Sequence, residues 1–201
     1  MIRLLLADDE HLIRSALAAL LSLEDDLQVV AGAGSGDEAL AMARLHRPDV
    51  ALLDLQMPAP DGIAVAGTLR RDVPECACII VTSHGRPGHL KRALAAGVRG
   101  FLPKTASAQA LAQAVRAVHG GGRYLDPELA AEAIGAGDSP LTSREADVLE
   151  LAADGVPVEE IARRASLSAG TVRNYLSSAV TKLGAANRHE AVALARTHGW
   201  I

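Results

Sequence analysis

Aromatic residues are nearly absent from this 201-residue chain, which has one Trp, two Tyr and one Phe. Proteins that bind single-stranded nucleic acid stack bases on aromatic side chains, so this scarcity argues against that class. Cysteine is also rare, and Cys76 and Cys78 cannot by themselves supply the four ligands of a structural zinc site. We expect both to be reduced core thiols, which is typical of cytoplasmic proteins.

Long hydrophobic runs and an excess of positive charge are missing as well. No apolar run reaches the ~18 residues of a transmembrane helix, and Asp8-Asp9-Glu10 ends the first apolar run too early for a signal peptide. The formal net charge is −4, so the whole chain has no basic signature. Apolar residues make up 49% of the chain, which is enough for a sizeable core in one or two domains.

Apolar runs alternate with helical patterns over residues 1–120. The predicted strands are residues 2–7, 27–33, the run that ends at Asp54, 78–82 and 99–102. Each is followed by an amphipathic helical pattern, which makes five strands and five helices. This order predicts right-handed βαβ units, in which a doubly wound, five-stranded parallel sheet is covered by helices on both faces.

The third run, within residues 48–58, ends on a carboxylate. A short apolar run between prolines is typical of a strand that is buried on both faces. In open α/β sheets the chemistry lies at the carboxyl ends of such strands, which makes Asp54 a candidate reactive group. Asp54 could instead cap a helix, although the prolines at 58 and 60 disfavour a helix that starts at once.

Further polar residues follow the other predicted strands: Asp8, Asp9, Thr82 and Lys104. Several carboxylates at one sheet edge would raise one another's pKa, and a divalent cation removes that conflict. Oxygen ligands suit Mg²⁺, which would neutralise an incoming phosphoryl group while Asp54 attacks it. Lys104 and the Thr82 hydroxyl would then bind phosphoryl oxygens. Taken singly, the two aspartates could be helix caps, the threonine a strand former and the lysine a solvated charge.

The residues that end these strands also carry a family pattern. Asp8-Asp9, residues 53–62, Val81-Thr82-Ser83 and residues 100–104 resemble the motifs of the receiver domain of bacterial two-component response regulators. The resemblance covers residues 1–120 and implies a flavodoxin-like fold.

It implies that Asp54 is the phosphoacceptor and that Mg²⁺ is bound directly by Asp9, through water by Asp8 and by the backbone carbonyl of Gln56. The residues alone would place Phe101 in the core, whereas the resemblance implies that it is the aromatic residue that moves in the switch. One departure is that Pro103 precedes Lys104 and Thr105 follows it, whereas many receivers have a Lys-Pro bond at this place. The isomer state of this loop is left open.

The strand pattern stops after residue 120. Residues 121–138 are Gly-rich and predict a linker with one short helix at 127–134. Residues 139–201 predict a separate all-α domain of four helices. Two of them are joined by the tight turn Ser166-Leu167-Ser168, as in a helix-turn-helix whose second helix enters the major groove of DNA.

The second domain carries its own motifs. Residues 141–145, Glu160-Ile161-Ala162, Thr171-Val172-Arg173 and Lys182-Leu183-Gly184 resemble the LuxR-type helix-turn-helix of the NarL/FixJ subgroup. The resemblance implies that three residues reach base edges: Arg173, Asn174 and Ser177. It implies that five others hold phosphates: Ser168, Thr171, Tyr175, Lys182 and Arg188. The alternative is a four-helix interaction module that binds no DNA.

Charge in this domain is balanced, because seven basic residues face seven acidic ones from Ser139 onward. From Ala169 onward only Glu190 opposes four basic residues, so the positive charge lies on the side expected to read DNA. Glu159 stands where family members often have a lysine, which predicts weaker anchoring to the DNA backbone.

Together the two resemblances imply a phosphorylation-activated, DNA-binding transcriptional regulator of a two-component system. A histidine kinase would phosphorylate Asp54, which would promote homodimerisation and binding to palindromic, double-stranded promoter DNA in the cytoplasm. Helical residues 12–21 and 111–118 are candidates for the dimer interface. Arg86-Pro87-Gly88 is similar to DesR-like members of the family.

Two other classes of protein share part of this pattern: aspartyl phosphohydrolases and regulators that work without phosphorylation. Aspartyl phosphohydrolases have a second carboxylate two residues after the nucleophile, where this chain has Gln56, so we expect no enzyme. A regulator that works without phosphorylation would lack Mg²⁺ ligands, and none of the expected ligands is missing from this sequence.

Overall fold

The computed structural model describes residues 1–83, 85, 87–135, 139–153 and 155–201. Arg86 of the DesR-like similarity and the end of the predicted linker at 136–138 lie outside the described residues, as does Asp154. The chain forms two compact units. The first contains most of residues 1–129, and the second contains most of residues 130–201. Each unit is described by itself.

The first unit is built on a parallel sheet. In the described residues its strands are β1 (Ile2–Ala7), β2 (Leu27–Ala33), β3 (Val50–Asp54), β4 (Ala77–Thr82), β5 (Gly100–Pro103) and β6 (Tyr124–Leu125). Their spatial order is β2-β1-β3-β4-β5-β6, and every pair is parallel. The first five strands confirm the predicted flavodoxin-like order.

The sixth strand corrects the prediction of a five-stranded sheet. Tyr124 pairs with Gly100 and Leu125 with Phe101. The backbone N–H of Tyr124 donates to the Arg99 carbonyl at 3.0 Å. A two-residue strand in a Gly-rich segment has no periodicity to detect, so only its pairing with β5 defines it. The first part of segment 121–138 therefore belongs to the edge of the sheet.

The strands are connected, as the sequence predicts, by α1 (His11–Leu21), α2 (Gly36–His46), α3 (Gly62–Asp72), α4 (Pro87–Ala95) and α5 (Ala108–His119), and α6 (Pro127–Gly135) follows β6. Three of these helices begin at a residue whose side chain accepts a hydrogen bond from the third helical N–H: Ser35, Asp61 and Ser107. These caps satisfy N–H groups that have no partner within the helix.

The helices cover the sheet so that its central strands are fully buried. Leu4, Leu6 and Leu52 form one core cluster with Leu111 and Val115 of α5, and Leu17 and Leu21 of α1 join the same cluster. Alternate residues such as Leu5 and Leu53 are also fully buried, because successive strand residues point to opposite faces. What remains open is the edge where the strands end.

The second unit consists of helices α7 (Ser143–Ala152), α8 (Val158–Arg164), α9 (Ala169–Leu183) and α10 (Arg188–Thr197). Apolar residues of all four helices form one core. The turn between α8 and α9 has Ser166 in the left-handed region at φ 54°, and Gly184 ends α9 at φ 61°. Pro157 is the N-cap of α8. In the described ranges, no helix is both long and apolar enough to span a membrane.

Candidate functional site

Three carboxylates converge at the carboxyl edge of the sheet. Asp8 and Asp9 follow β1, and Asp54 is the last residue of β3. A ligand oxygen from each lies within 4.8 Å of the other two, and Asp8 and Asp54 are buried while Asp9 is exposed. Because β1 and β3 are adjacent parallel strands, their ends bring these residues to one place.

Lys104 joins this cluster from the loop after β5. Its Nζ lies 2.7 Å from Asp8 Oδ2 and 3.1 Å from Asp54 Oδ2, and only 9% of its side chain is exposed. Burial acts to lower the pKa of Lys104, but the hydrogen bonds to Asp8 and Asp54 outweigh it and raise that pKa above its ordinary value. Lys104 is therefore a fixed cation at neutral pH.

The ionisation of Asp54 depends on this cation. Burial, the largest influence, raises the pKa of the Asp54 carboxyl above its usual value, and the charge of Asp8 acts in the same direction. The hydrogen bond and the charge of Lys104 oppose both effects, and so does the backbone N–H of Gln56. Positive charge beside the two carboxylates thus favours the anionic form of the buried Asp54.

The remaining predicted residues lie at or beside the same edge. Thr82 is buried at the end of β4, and its carbonyl accepts a hydrogen bond from the Lys104 backbone N–H at 2.8 Å. Phe101 is fully buried in β5. Gln56 follows Asp54 by two residues and exposes its side chain, and its backbone N–H hydrogen-bonds to the Asp54 carboxylate.

The loop after β3 folds back tightly on Asp54. The Gly62 N–H donates to the Leu55 carbonyl at 3.2 Å. A Cβ atom at Gly62 would lie 2.1 Å from the backbone oxygen of Asp54, which no side chain can tolerate. Asp61 caps α3 by accepting from Ala64 N at 2.8 Å. Gly62 is thus required for the position of Asp54, whereas the sequence indicated only a family motif at this place.

Two other residues were missed as parts of the site. Glu10 Oε1 lies 3.3 Å from Lys104 Nζ, and the Arg14 side chain hydrogen-bonds to the Asp8 backbone carbonyl. Glu10 directly follows the two predicted aspartates, so its position was a usable signal. Arg14 lies one turn into α1, where nothing in the sequence distinguishes it from a solvated helix residue.

The second unit presents the predicted base-reading residues on one face of α9. Arg173, Asn174 and Ser177 are exposed. The opposite stripe is buried in the core of the unit: Val172, Leu176 and Ala179. Helical periodicity therefore separates the predicted reading face from the packing face.

The predicted phosphate-binding residues lie along α9, at its N-cap and at the start of α10. The Ser168 Oγ accepts from the Thr171 N–H at 3.1 Å and lies 2.8 Å from Thr171 Oγ1. Tyr175 and Arg188 are half-buried, and the Arg188 guanidinium reaches the Val156 carbonyl at 3.5 Å. Hydroxyl and guanidinium groups at such helix ends are suited to phosphate contacts.

Lys182 has a buried partner. Its Nζ lies 2.7 Å from Oε2 of Glu145, a residue that is only 4% exposed. Ser178 Oγ donates to Glu145 Oε1 at 2.6 Å, and the Thr142 backbone N–H donates to Oε2 at 2.6 Å. Burial raises the pKa of Glu145, but these hydrogen bonds, that of Lys182 first, outweigh it and lower the pKa to about 2. The network ties α7 to α9.

Comparison with known proteins identifies the family of this chain. Residues 4–116 match the family described as "Response regulator receiver domain", and residues 139–195 match "Bacterial regulatory proteins, luxR family". The chain belongs to the response regulators that join a receiver domain to a LuxR-type DNA-binding domain. It is a DNA-binding transcriptional regulator and not an enzyme.

Relatives and solved structures agree along the full chain. It is 41% identical over 201 residues to the transcriptional regulatory protein DesR of Bacillus subtilis, with 100% of each chain covered. It is 40% identical to the transcriptional regulatory protein UhpA of Escherichia coli, again with 100% of each covered. The RcsB–DNA complex covers 98% of both chains with a TM-score of 0.64 at 25% identity. Receiver domains generally bind Mg²⁺ at the acidic pocket seen here.

Proposed function

We propose that Asp54 accepts a phosphoryl group from a histidine kinase and that phosphorylation activates binding of the second domain to promoter DNA. The observation that carries this proposal is the convergence of Asp8, Asp9 and Asp54 on one another, with Lys104 bound to two of them. A buried carboxylate that is kept anionic by an adjacent cation is a competent nucleophile.

The transfer needs one new bond and one broken bond. An Asp54 Oδ atom attacks phosphorus, the bond between phosphorus and the donor nitrogen of the kinase histidine breaks, and the product is an acyl phosphate on Asp54. Lys104 then has a phosphoryl oxygen to bind in place of the carboxylate at 3.1 Å. The Thr82 hydroxyl donates to another phosphoryl oxygen. Thr82 directly follows Val81, the β4 residue that pairs with Asp54 of β3.

A divalent cation fits the donor set of the pocket. Three carboxylate oxygens within 4.8 Å of one another are hard ligands, and their mutual repulsion is relieved by a hard cation. We propose that Asp9 and Asp54 hold Mg²⁺ directly, Asp8 through water and Gln56 by its backbone carbonyl. When bound, Mg²⁺ neutralises charge on the transferred phosphoryl group.

The output follows from movement near the new charge. We propose that Thr82 and Phe101 change position, and that the regulator then forms a homodimer that matches a palindromic site. Among the candidate dimer helices, α1 exposes Leu12 and Leu20 at 81% and 43%, whereas Leu111, Val115 and Val118 of α5 are buried. This favours α1 as the dimer contact.

The domain boundaries that we propose are those predicted from the sequence: a receiver domain at 1–120, a linker at 121–138 and a DNA-binding domain at 139–201.

In the second domain, the proposed DNA contacts are those predicted from the sequence. Arg173, Asn174 and Ser177 read base edges, and the hydroxyl and basic residues around α9 hold phosphates. The similar solved structures include the two-component response regulator RcsB in complex with DNA, which supports DNA as the partner. We propose that the regulator binds chromosomal DNA and therefore acts in the cytoplasm.

The test is labelling of the full chain with a small phosphodonor and Mg²⁺. We expect Asp54→Asn to abolish labelling and phosphodonor-dependent dimerisation, because the amide cannot form an acyl phosphate. Asp25→Asn, which changes an exposed carboxylate between α1 and β2, is the matched control and should label like the unchanged protein. Labelling that persists in Asp54→Asn would place the phosphoacceptor elsewhere.

A further inference from the structure

An ion pair joins the two helices of the helix-turn-helix. Arg173 Nη2 of α9 lies 3.2 Å from Glu159 Oε1 of α8, and the two side chains are 61% and 70% exposed. We propose that Glu159 determines specificity: it holds the Arg173 guanidinium away from DNA phosphates, so that Arg173 binds DNA tightly only where a guanine replaces the carboxylate. This inference rests on the proposed DNA-binding function and names a residue that regulates it.

The place of Glu159 in α8 supports a role toward DNA. In a helix-turn-helix, the first helix crosses the DNA backbone, and a helix N-terminus ordinarily attracts phosphate. Glu159 and Glu160 both lie in the first turn of α8. Glu160 is paired within its own helix to Arg163 and Arg164. Glu159 instead reaches across to the base-reading helix, so the two neighbouring acids have different partners.

The guanidinium of Arg173 has two kinds of acceptor on DNA. Phosphate oxygens accept bidentate hydrogen bonds from arginine at every nucleotide, whereas only guanine offers the O6 and N7 pair in the major groove. An arginine without a partner would therefore bind any sequence through the backbone. A carboxylate that already binds Nη2 of the guanidinium repels phosphate and leaves guanine, which is neutral, as the favoured replacement.

The charge balance of the domain makes this exchange important. Seven basic residues face seven acidic residues from Ser139 onward, and Lys182 is bound to buried Glu145. Attraction to DNA of any sequence is accordingly weak, since it scales with the number of phosphates neutralised. In the free protein the pair contributes little to stability because both side chains are exposed, so Glu159 can be changed without unfolding α8.

The experiment uses the full chain treated with phosphodonor and Mg²⁺. The unchanged protein first selects its site from a random pool of double-stranded DNA, and Arg173→Ala identifies the base pair that Arg173 reads. Affinity is then measured over a salt series on the selected site, on the site changed at that base pair, and on random DNA. We expect Glu159→Gln to lose roughly tenfold of the discrimination at that base pair. Its plot of log affinity against log salt should steepen by about one unit.

Glu160→Gln is the matched control, because it removes the same charge one residue away from an acid that does not contact Arg173. We expect it to keep the discrimination at the Arg173 base pair. Glu159→Gln should also have no effect on discrimination when Arg173 is already Ala. Equal discrimination by Glu159→Gln and the unchanged protein, or equal losses in both glutamine variants, would overturn the inference alone. Selection of no sequence by the unchanged protein would overturn the proposed function as well.

Discussion

The two functional regions of this regulator differ in how they are enclosed. Asp54 is 6% exposed and is surrounded by other ionisable groups, so its charge state depends on burial and on Lys104. Arg173 is 61% exposed, and its partner Glu159 is also in solvent. A largely buried pocket suits covalent chemistry on a small group, whereas an exposed face suits contact with a large polyanion such as duplex DNA.

The difference also concerns how each region is built. The pocket collects residues from three strands and a loop, which are separated by up to 94 positions in the pair Glu10 and Lys104. The reading face is a single helix in which exposed and buried residues alternate at helical spacing. The pocket is therefore sensitive to the backbone position of each strand, and the reading face is sensitive mainly to side-chain identity.

The largest expected effect breaks the pocket through its backbone. Gly62→Ala should lower the free energy of unfolding by about 3 kcal/mol or more and abolish phosphodonor labelling, because the new Cβ would lie 2.1 Å from the Asp54 backbone oxygen. Gly67→Ala in the same helix has no atom within 4 Å of its Cβ and should be neutral or stabilising by about 0.5–1 kcal/mol. Chemical denaturation measures both; equal effects would contradict the close approach.

Removing the cation of the pocket comes next. Lys104→Met should slow phosphodonor labelling by roughly 100-fold, since burial and Asp8 would then raise the Asp54 pKa against only the backbone N–H of Gln56. The slower rate should recover in part as the pH is raised, because a larger fraction of Asp54 becomes ionised. Lys91→Met, at an exposed position of α4, is the control. A normal rate in Lys104→Met would show that Lys104 has only a structural role.

In the second unit, the effect of one buried carboxylate depends on pH. The pKa of Glu145 falls from 4.5 to about 2 on folding, so its contribution is complete above pH 4.5 and is lost as the pH falls toward 2. Trp200, the only tryptophan of the chain, packs on the core of this unit and can report its unfolding by fluorescence.

Glu145→Gln should cost about 2 kcal/mol at neutral pH and flatten this acid dependence, because the amide cannot ionise and pairs less well with Lys182. Lys182→Met should flatten it as well, since Lys182 is the strongest of the groups that lower the Glu145 pKa. An unchanged pH profile in both variants would exclude the network as its source.

The smallest expected effects concern the predicted DNA contacts of α9. Arg173→Ala should cost roughly 1–3 kcal/mol at one base pair and relax preference there. Lys182→Ala should instead weaken binding to all sequences alike and flatten the salt dependence, if Lys182 exchanges Glu145 for a phosphate. Binding assays on the selected site and on its single-base variants separate the two. Unchanged sequence preference in Arg173→Ala would place another residue in the groove.

Local patterns predicted most elements because they depend on neighbours in the sequence. The strand 27–33 was predicted correctly, since an apolar run is a pattern of neighbouring residues. The caps at Ser35, Asp61 and Thr142 are equally local, because each side chain accepts from a backbone N–H three residues later. The strand Tyr124–Leu125 was missed because its only support is a hydrogen-bonded partner on β5. A two-residue segment cannot show the periodicity on which such predictions rest.

The sequence by itself determined which chemical groups exist and at which strand or helix end each one lies, including the Asp54 carboxylate and the exposed face of α9. Only the tertiary structure decided their partners: Lys104 with Asp8 and Asp54, Gly62 against the Asp54 backbone, Lys182 with Glu145, and Arg173 with Glu159. The reason is distance along the chain. These contacts join residues that no local pattern relates, and they form because packing of the strands and helices brings their ends together.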